Sequence, residues 1–236
     1  MKTMEVTHPV VSKEEWLAAR KAHLAREKEL TRLRDQVNRE RLELPWERVE
    51  KSYVFDSPRG QVPLAELFDG RNQLIVYHFM LGPDWKEGCP SCSFLSDHFE
   101  GAFPHLTHHD VMLTAVSRAP LSKIEAFRSR MGWRFPWVSS NANEFNRDYG
   151  VYFTKEEIAA GGGEYNYGTQ RYPGQEAHGL SVFARNPAGE VFHTYSTYGR
   201  GVDILIGTYN FLDLTPKGRN ESGPMDWIRH HDRYES

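Results

Sequence analysis

The sequence predicts an α/β fold in which a mixed sheet is sandwiched by helices and preceded by an N-terminal helical arm. Three observations carry this. Residues 74–80 (LIVYHFM) form a continuous apolar run of strand length, the pattern of a strand covered on both faces. Strand-like and helix-like stretches alternate after it and end in a hairpin signal, Asn186-Pro187-Ala188-Gly189. Residues 12–44 keep a helical rhythm with no Gly or Pro.

The arm opens on a capping box, Ser12-Lys13-Glu14-Glu15, in which hydroxyl and carboxylate satisfy free backbone N–H groups. Trp16, Leu17, Leu24, Leu30, Leu33 and Val37 then recur at roughly helical spacing among interleaved charges. The expected organisation is an arm over residues 1–50 and a main domain with a C-terminal extension over 51–236. The arm's apolar stripe is suited to docking on the main domain or on a second subunit, so a homodimer is compatible with it.

Residues 53–55 read as a strand and 57–60 as a turn. The segment 62–68 carries Leu64, Leu67 and Phe68 and closes at Asp69-Gly70. After the 74–80 strand come a loop over 81–88, a cysteine pair, and a helix-compatible stretch to about residue 99. Residues 111–116 read as a second apolar strand. Leu121, Ile124, Phe127 and Met131 mark a helix, 135–138 a short strand, and 143–149 a short helix or turn. Residues 156–179, rich in Gly, Tyr and Gln, read as loop. Residues 180–185 and 190–195 flank the hairpin signal, 202–212 fits strand or helix, and a Gly/Pro-rich charged tail begins at 215.

Composition narrows the function. In 236 residues, 29 Lys and Arg stand against 32 Asp and Glu, a formal net charge of −3. That balance argues against a broad electrostatic footprint for nucleic acid or anionic lipid. The longest apolar run, residues 74–81, contains His78, whereas a membrane span needs about 20 residues. The start, MKTMEVTHPV, holds no apolar stretch of signal-peptide length. The expectation is a soluble cytoplasmic protein with no nucleic-acid or membrane partner. That compartment keeps thiols reduced, which points a close cysteine pair toward chemistry rather than toward a structural bridge.

The two cysteines are Cys89 and Cys92. Random placement would set two cysteines three apart only about 1% of the time, by counting pairs. The pair follows the buried strand and opens a helix, the context in which C-x-x-C reads as a thioredoxin-like redox site. Pro90 suits the first helical position, and free N–H groups there favour a thiolate. Cys89 is then the nucleophile toward a disulfide, and Cys92, one turn on, the resolving cysteine.

Two alternatives stand beside this reading. Cys89-x2-Cys92-x12-His105-x3-His109 fits a zinc-finger spacing. However, Ser96 and Ala102 occupy the places of that finger's apolar core, and Pro104 sits where its helix interior belongs. His105, His108 and His109 are expected in a polar surface loop, and no resident metal or cofactor is expected. A zinc- or copper-binding module using the cysteine pair remains the non-enzymatic alternative. The other is a peroxiredoxin-like thiol peroxidase. Peroxiredoxins usually carry Pro seven and Thr three residues before the nucleophile; here those places hold Gly82 and Lys86, with Pro83 one position off.

The segments EEWLAARKAHLAREKELTRLRD, GRNQLIVYHFM, GCPSCSF, AVSRAPLSKIEAFRSRMGWRFPWVSS, VFHTYSTYGRGVD and GTYNFLDLTPKGRNE together resemble a bacterial family of thioredoxin-like proteins of unknown function, described as predicted dithiol–disulfide oxidoreductases. The resemblance spans about residues 11–233. It implies a thioredoxin-like fold and the dithiol roles of Cys89 and Cys92. Partners of that chemistry are a protein or small-molecule disulfide and an unidentified electron donor. Thioredoxins place a cis-proline before a late strand, opposite the cysteines. Here Ala177-His178-Gly179 stands there, and Pro173 lies too far back. His178 could face the cysteines as a base, as a third ligand or as a substrate contact; otherwise it is a loop histidine.

Trp85 could shield the site and contact substrate, and Lys86 could favour the Cys89 thiolate. His78, in the apolar strand, reads as a hydrogen-bonded core histidine. His230-His231-Asp232 is expected to face solvent, because adjacent residues point in different directions. Arg200 and Asp203, following Tyr195 and Tyr198, could shape a groove.

Overall fold

The computed structural model describes residues 8–235; the first seven residues, part of the segment read above for a signal peptide, lie outside the described residues. The chain divides into two units, Met1–Pro45 and Trp46–Ser236. Among the described residues the first holds a single helix, α1 (Lys13–Leu42). Its N-terminus is the capping box: Ser12 Oγ accepts from the Glu15 N–H at 3.2 Å, and the Glu15 carboxylate accepts from the Ser12 N–H at 2.9 Å. Glu14 and Glu15 in the first turn and Arg39 and Arg41 in the last complement the helix dipole. No residue of α1 is buried.

In the second unit the chain runs from a two-residue strand, β1 (Glu47–Arg48), into the hairpin β2 (Val54–Ser57) and β3 (Gly60–Pro63). Residues 62–68 then split: Pro63 ends the strand and Leu64–Phe68 form a 3₁₀ turn that buries Leu64, Leu67 and Phe68. The apolar run is β4 (Gln73–His78). Two helices follow instead of one, α2 (Pro90–Ser96) and α3 (Phe99–His108). Next come β5 (Val111–Ser117), α4 (Leu121–Arg130) and β6 (Trp137–Ser139).

The segment read as loop has structure of its own. After α5 (Phe145–Asp148), the helix α6 (Lys155–Ala159) starts on a second capping box, Thr154 with Glu157. A small hairpin follows, β7 (Gly163–Tyr165) with β8 (Gln170–Tyr172). It turns through Asn166, Tyr167 and Gly168, all at positive φ. The late hairpin is β9 (Gly179–Arg185) and β10 (Val191–Tyr198). Residues 199–212 are helical: a 3₁₀ segment, Gly199–Leu205, then α7 (Gly207–Leu212).

The main sheet has the order β1-β10-β9-β4-β5-β6-β2-β3. β4, β5 and β6 run parallel, and β9 lies antiparallel against β4 with Val76 opposite Ser181. A β–α–β crossover and an antiparallel hairpin thus meet at the central strand β4. This is a thioredoxin-like mixed α/β fold, with the dithiol segment directly after that strand.

Alternation along β4 separates two cores. Tyr77 and then Phe79 face Leu95, Phe99, Ile124, Phe127 and Trp137 on the helical side. Leu74 and Val76 face Phe55, Phe68, Phe145 and Phe183 on the other. Burying both faces accounts for the unbroken apolar run. No helix among the described residues is long and apolar enough to cross a membrane.

Candidate active site around the cysteine pair

The loop that carries Cys89 is anchored along its length. At its base the Phe79 N–H donates to Val116 O (2.9 Å) and the Ala119 N–H to Leu81 O (2.9 Å). Lys123 Nζ donates to the carbonyls of Pro83 and Trp85. The Cys89 N–H returns to Met80 O at 3.1 Å. Gly88 admits no side chain: a Cβ there would stand 2.6 Å from a Phe127 ring atom and 2.7 Å from one of Phe79. Its carbonyl accepts a hydrogen bond from His230 Nε2 at 2.8 Å. Arg130 and Arg233 both pair with Glu87, one residue earlier.

Cys89 is the N-cap of α2 and Pro90 the first helical residue, where a missing N–H costs nothing. Both the N–H and the hydroxyl of Ser93 donate to the Cys89 carbonyl, each at 2.9 Å. Both cysteines are free thiols; Cys89 is partly exposed, whereas Cys92 is only 2% exposed.

The two thiols are electrostatically unlike. A hydrogen bond from Cys92 is the main cause that brings the Cys89 thiol down to about 7; burial opposes it, and the N–H groups of Cys92 and Ser91 and the Ser91 hydroxyl assist. The Cys89 sulfur forms no regular capping hydrogen bond, so the N–H groups act as nearby dipoles. Burial pushes Cys92 well above the thiol range, and its link to Cys89 adds to this. The Tyr77 hydroxyl and the Met80 N–H pull Cys92 the other way, toward its anion.

The pair opens onto a cavity of about 200 Å³. Met80, Leu95, Ile206 and Met225 give it an apolar wall, and Tyr77 and Tyr172 add aromatic faces. Its polar lining beyond the cysteines is Ser91, His178 and Asp203. Tyr172 turns its hydroxyl to the Met80 sulfur at 3.7 Å.

His178 immediately precedes β9 and shares this cavity with both cysteines. Its Nε2 lies 3.2 Å from Gly199 O; a carbonyl only accepts, so Nε2 carries the proton. Burial holds its pKa below the ordinary histidine value. Its own carbonyl accepts from the Tyr165 hydroxyl, which in turn accepts from the Gly199 N–H at 2.8 Å. Asp203 is held by Arg200 at 3.0 Å.

Trp85 is not part of the cavity lining. It lies over Gly82, where a Cβ would stand 3.0 Å from the indole and 3.1 Å from Glu176 Oε1. Glu176 is buried, raised in pKa by that burial, and paired with Arg118 at 2.7 Å. The Arg118 guanidinium stacks 3.2 Å over the Tyr152 ring. Lys86 is exposed and likewise outside the lining.

His78 lies on the opposite face of the sheet, bonded to Ser181 Oγ at 2.9 Å, and burial brings its pKa to about 3. Ser181 meets Ser196 at 2.8 Å and His193 meets Ser196 at 2.7 Å, a polar chain across β4, β9 and β10.

Two expectations change here. His230 does not face solvent: it is 1% exposed, packs on the Phe127 ring and holds the cysteine loop. His231 does remain exposed and pairs with Asp97 at 2.7 Å. His105 and His108 are not in a loop but in the last turn of α3, which continues through Pro104. Neither joins the cysteines. Among the described residues no three His, Cys, Asp or Glu side chains are gathered as ligands of one metal.

Sequence reasoning passed over Tyr77, Tyr172 and Met225. Tyr77 had a signal, since it precedes His78 in a strand whose neighbours must alternate between faces. Tyr172 sat in a segment read as loop, although Thr154-x-x-Glu157 and the Asn166–Gly168 turn marked helix and hairpin. Met225 reaches the site from the tail with no local pattern to announce it.

The sequence matches the profile of a family described as bacterial protein of unknown function (DUF899) over residues 5–234. No curated protein matches it in sequence. Among solved structures it is similar to peroxidoxin BcpB from Mycobacterium tuberculosis, at 12% identity over 70% of this chain and 95% of that one, with a TM-score of 0.49. It is also similar to the bacterioferritin comigratory protein of Xanthomonas campestris, at 17% identity over 66% and 88%, TM-score 0.45. A third likeness is to a yeast mitochondrial 1-Cys peroxiredoxin, at 15% identity over 72% and 78%, TM-score 0.41.

Proposed function

Since the chain belongs to DUF899, a bacterial family of unknown function, we propose for it the activity of a thioredoxin-like dithiol–disulfide oxidoreductase, with Cys89 as nucleophile and Cys92 as resolving cysteine. The observation that carries this reading is the contrast between the two thiols. The partly exposed Cys89 is lowered to about 7, while its buried neighbour is held protonated.

At neutral pH a large share of Cys89 is thiolate, the attacking species in exchange. It displaces one sulfur of a disulfide and forms a mixed disulfide. Cys92 must then lose its proton to attack Cys89. With Cys89 no longer an anion, the unfavourable charge beside Cys92 is gone, and the Tyr77 hydroxyl and Met80 N–H stabilise the new thiolate. The products are a Cys89–Cys92 disulfide and two substrate thiols, and an external dithiol or thiol donor restores the reduced pair. Rigidity of the 79–89 loop keeps the nucleophile placed for this.

The test is trapping. Cys92→Ser, reduced and exposed to cell extract or to a model disulfide, accumulates a mixed disulfide on Cys89 that dithiothreitol releases. Cys89→Ser accumulates none. Absence of any adduct on Cys89 in the first variant overturns the reading.

A further inference from the structure

The geometry points to a substrate class: a small, uncharged organic disulfide that enters the cavity beside Cys89, in place of a peptide, protein or anionic disulfide. This rests on the exchange reading above and adds what is exchanged.

Two independent features carry it. The first is size. At about 200 Å³ the cavity is smaller than the roughly 300–1,000 Å³ of sites that take drug-sized ligands. A short dialkyl or cyclic disulfide fits within it, whereas a tripeptide thiol joined to its copy would extend out of its mouth into solvent. Facing β4 and α2, its walls are completed by distant parts of the chain: Tyr172 on β8, Ile206 before α7, and Met225 in the tail. The enclosure is therefore assembled by the tertiary fold.

The second feature is charge. Toward the substrate the cavity presents a Cys89 thiolate, the Asp203 carboxylate and a neutral, partly buried His178. Among the described residues no Lys or Arg side chain lines it. Two guanidinium groups pair with Asp203, those of the highly exposed Arg200 at 3.0 Å and of Arg219 at 3.8 Å, and both lie outside the lining. A substrate bearing carboxylates would place like charges together in a partly desolvated space, whereas an uncharged one meets Met80, Leu95 and Ile206.

The balance of the step is simple. The Cys89 thiolate forms a bond to one substrate sulfur while the substrate S–S bond breaks, releasing the first product thiolate. Cys92, losing its proton, then displaces the second. Substrate is reduced by two electrons, the protein dithiol is oxidised by two, and the proton from Cys92 and one from solvent end on the two product thiols.

The experiment compares rates of oxidation of the reduced full chain by hydroxyethyl disulfide and by glutathione disulfide, followed by loss of thiols at neutral pH. Each rate is divided by that of N-acetylcysteine with the same reagent to remove intrinsic reactivity. The expected selectivity for hydroxyethyl disulfide is about 100-fold, the scale on which a pocket rejects misfitting groups. Met225→Ala, which widens the wall, should narrow it. The wild-type ratio is decisive even if that variant folds poorly. Equal corrected rates, or preference for glutathione disulfide, overturn the substrate class while leaving exchange intact. If neither disulfide oxidises a pair whose Cys89 is readily alkylated by iodoacetamide, exchange itself fails, and the substrate class with it.

Discussion

His230 donates its Nε2 proton to the carbonyl of Gly88 at 2.8 Å, one residue before Cys89. Residues separated by 142 positions are thereby joined inside the core. Because a carbonyl only accepts, the tautomer is set, and Nδ1 is left to accept from Arg130 Nη2 at 3.2 Å. The tail thus holds the segment from which Cys89 projects.

Replacing His230 with Ala leaves the Gly88 carbonyl buried without its partner. The expected cost is about 1–3 kcal/mol, read as a fall in Tm of about 2–4 °C per kcal/mol for a chain of this size. Alkylation of Cys89 should also change rate, while His230→Gln, which keeps an N–H donor, restores part of both. An unchanged Tm and alkylation rate in His230→Ala would contradict this anchoring role.

Gly88 is required for a different reason. Gly88→Ala drives a methyl into the rings of Phe79 and Phe127, both in the buried core. Overpacking of this kind costs about 1–3 kcal/mol. Chemical denaturation should show the loss, and Cys89 reactivity should fall because the loop cannot stay in place. Wild-type stability in this variant would mean the two rings yield easily.

The pH profile of Cys89 alkylation should have its midpoint at about 7. Reactivity is then high above that value and falls as pH drops through it, since only the thiolate reacts. The hydrogen bond from Cys92 is the largest cause, so Cys92→Ala moves the midpoint up toward the ordinary thiol value of about 8.5. A midpoint that stays put in Cys92→Ala would assign the shift to the helix start instead.

Desolvated histidines set an acid limit on stability. Burial holds His78 at about 3 and lowers His178 below the ordinary histidine value. Their unfolded forms take up protons near 6.5, a point at which the folded forms still refuse them. Stability is therefore fully present above about 6.5 and falls as pH decreases from there, by up to about 1.4 kcal/mol per pH unit for each such group. Denaturation midpoints between neutral and acid pH should show this decline. His78→Asn, which retains a polar partner for Ser181, should flatten it; an identical slope would exclude His78 as the cause.

The fold was legible where local and global signals agreed. The apolar run of β4, the hairpin turn at Asn186–Gly189 and the Ser12 capping box each state their structure within a few residues. So did the placement of Cys89 at a helix start, because Pro90 favours that position. The Tyr-rich segment was harder: Gly161, Gly162 and Gly163 suggested loop, yet Gly162 and Gly163 lie against the Tyr172 backbone and the Phe153 ring, close approaches that only glycine permits. The cavity was the least legible feature. Its walls come from β4, α2, β8, the segments flanking α7 and the tail, and His230 acts through a contact no sequence spacing encodes.

The most direct measurement is the redox titration of the wild-type chain in buffers of graded reduced and oxidised dithiothreitol, read by mass on the peptide containing Cys89 and Cys92. The dithiol reading requires a reversible two-electron transition in which that peptide loses two hydrogens, alone among the peptides of the chain, and regains them on reduction. A peptide that keeps both thiols free across the whole titration, or that oxidises without returning, would contradict it.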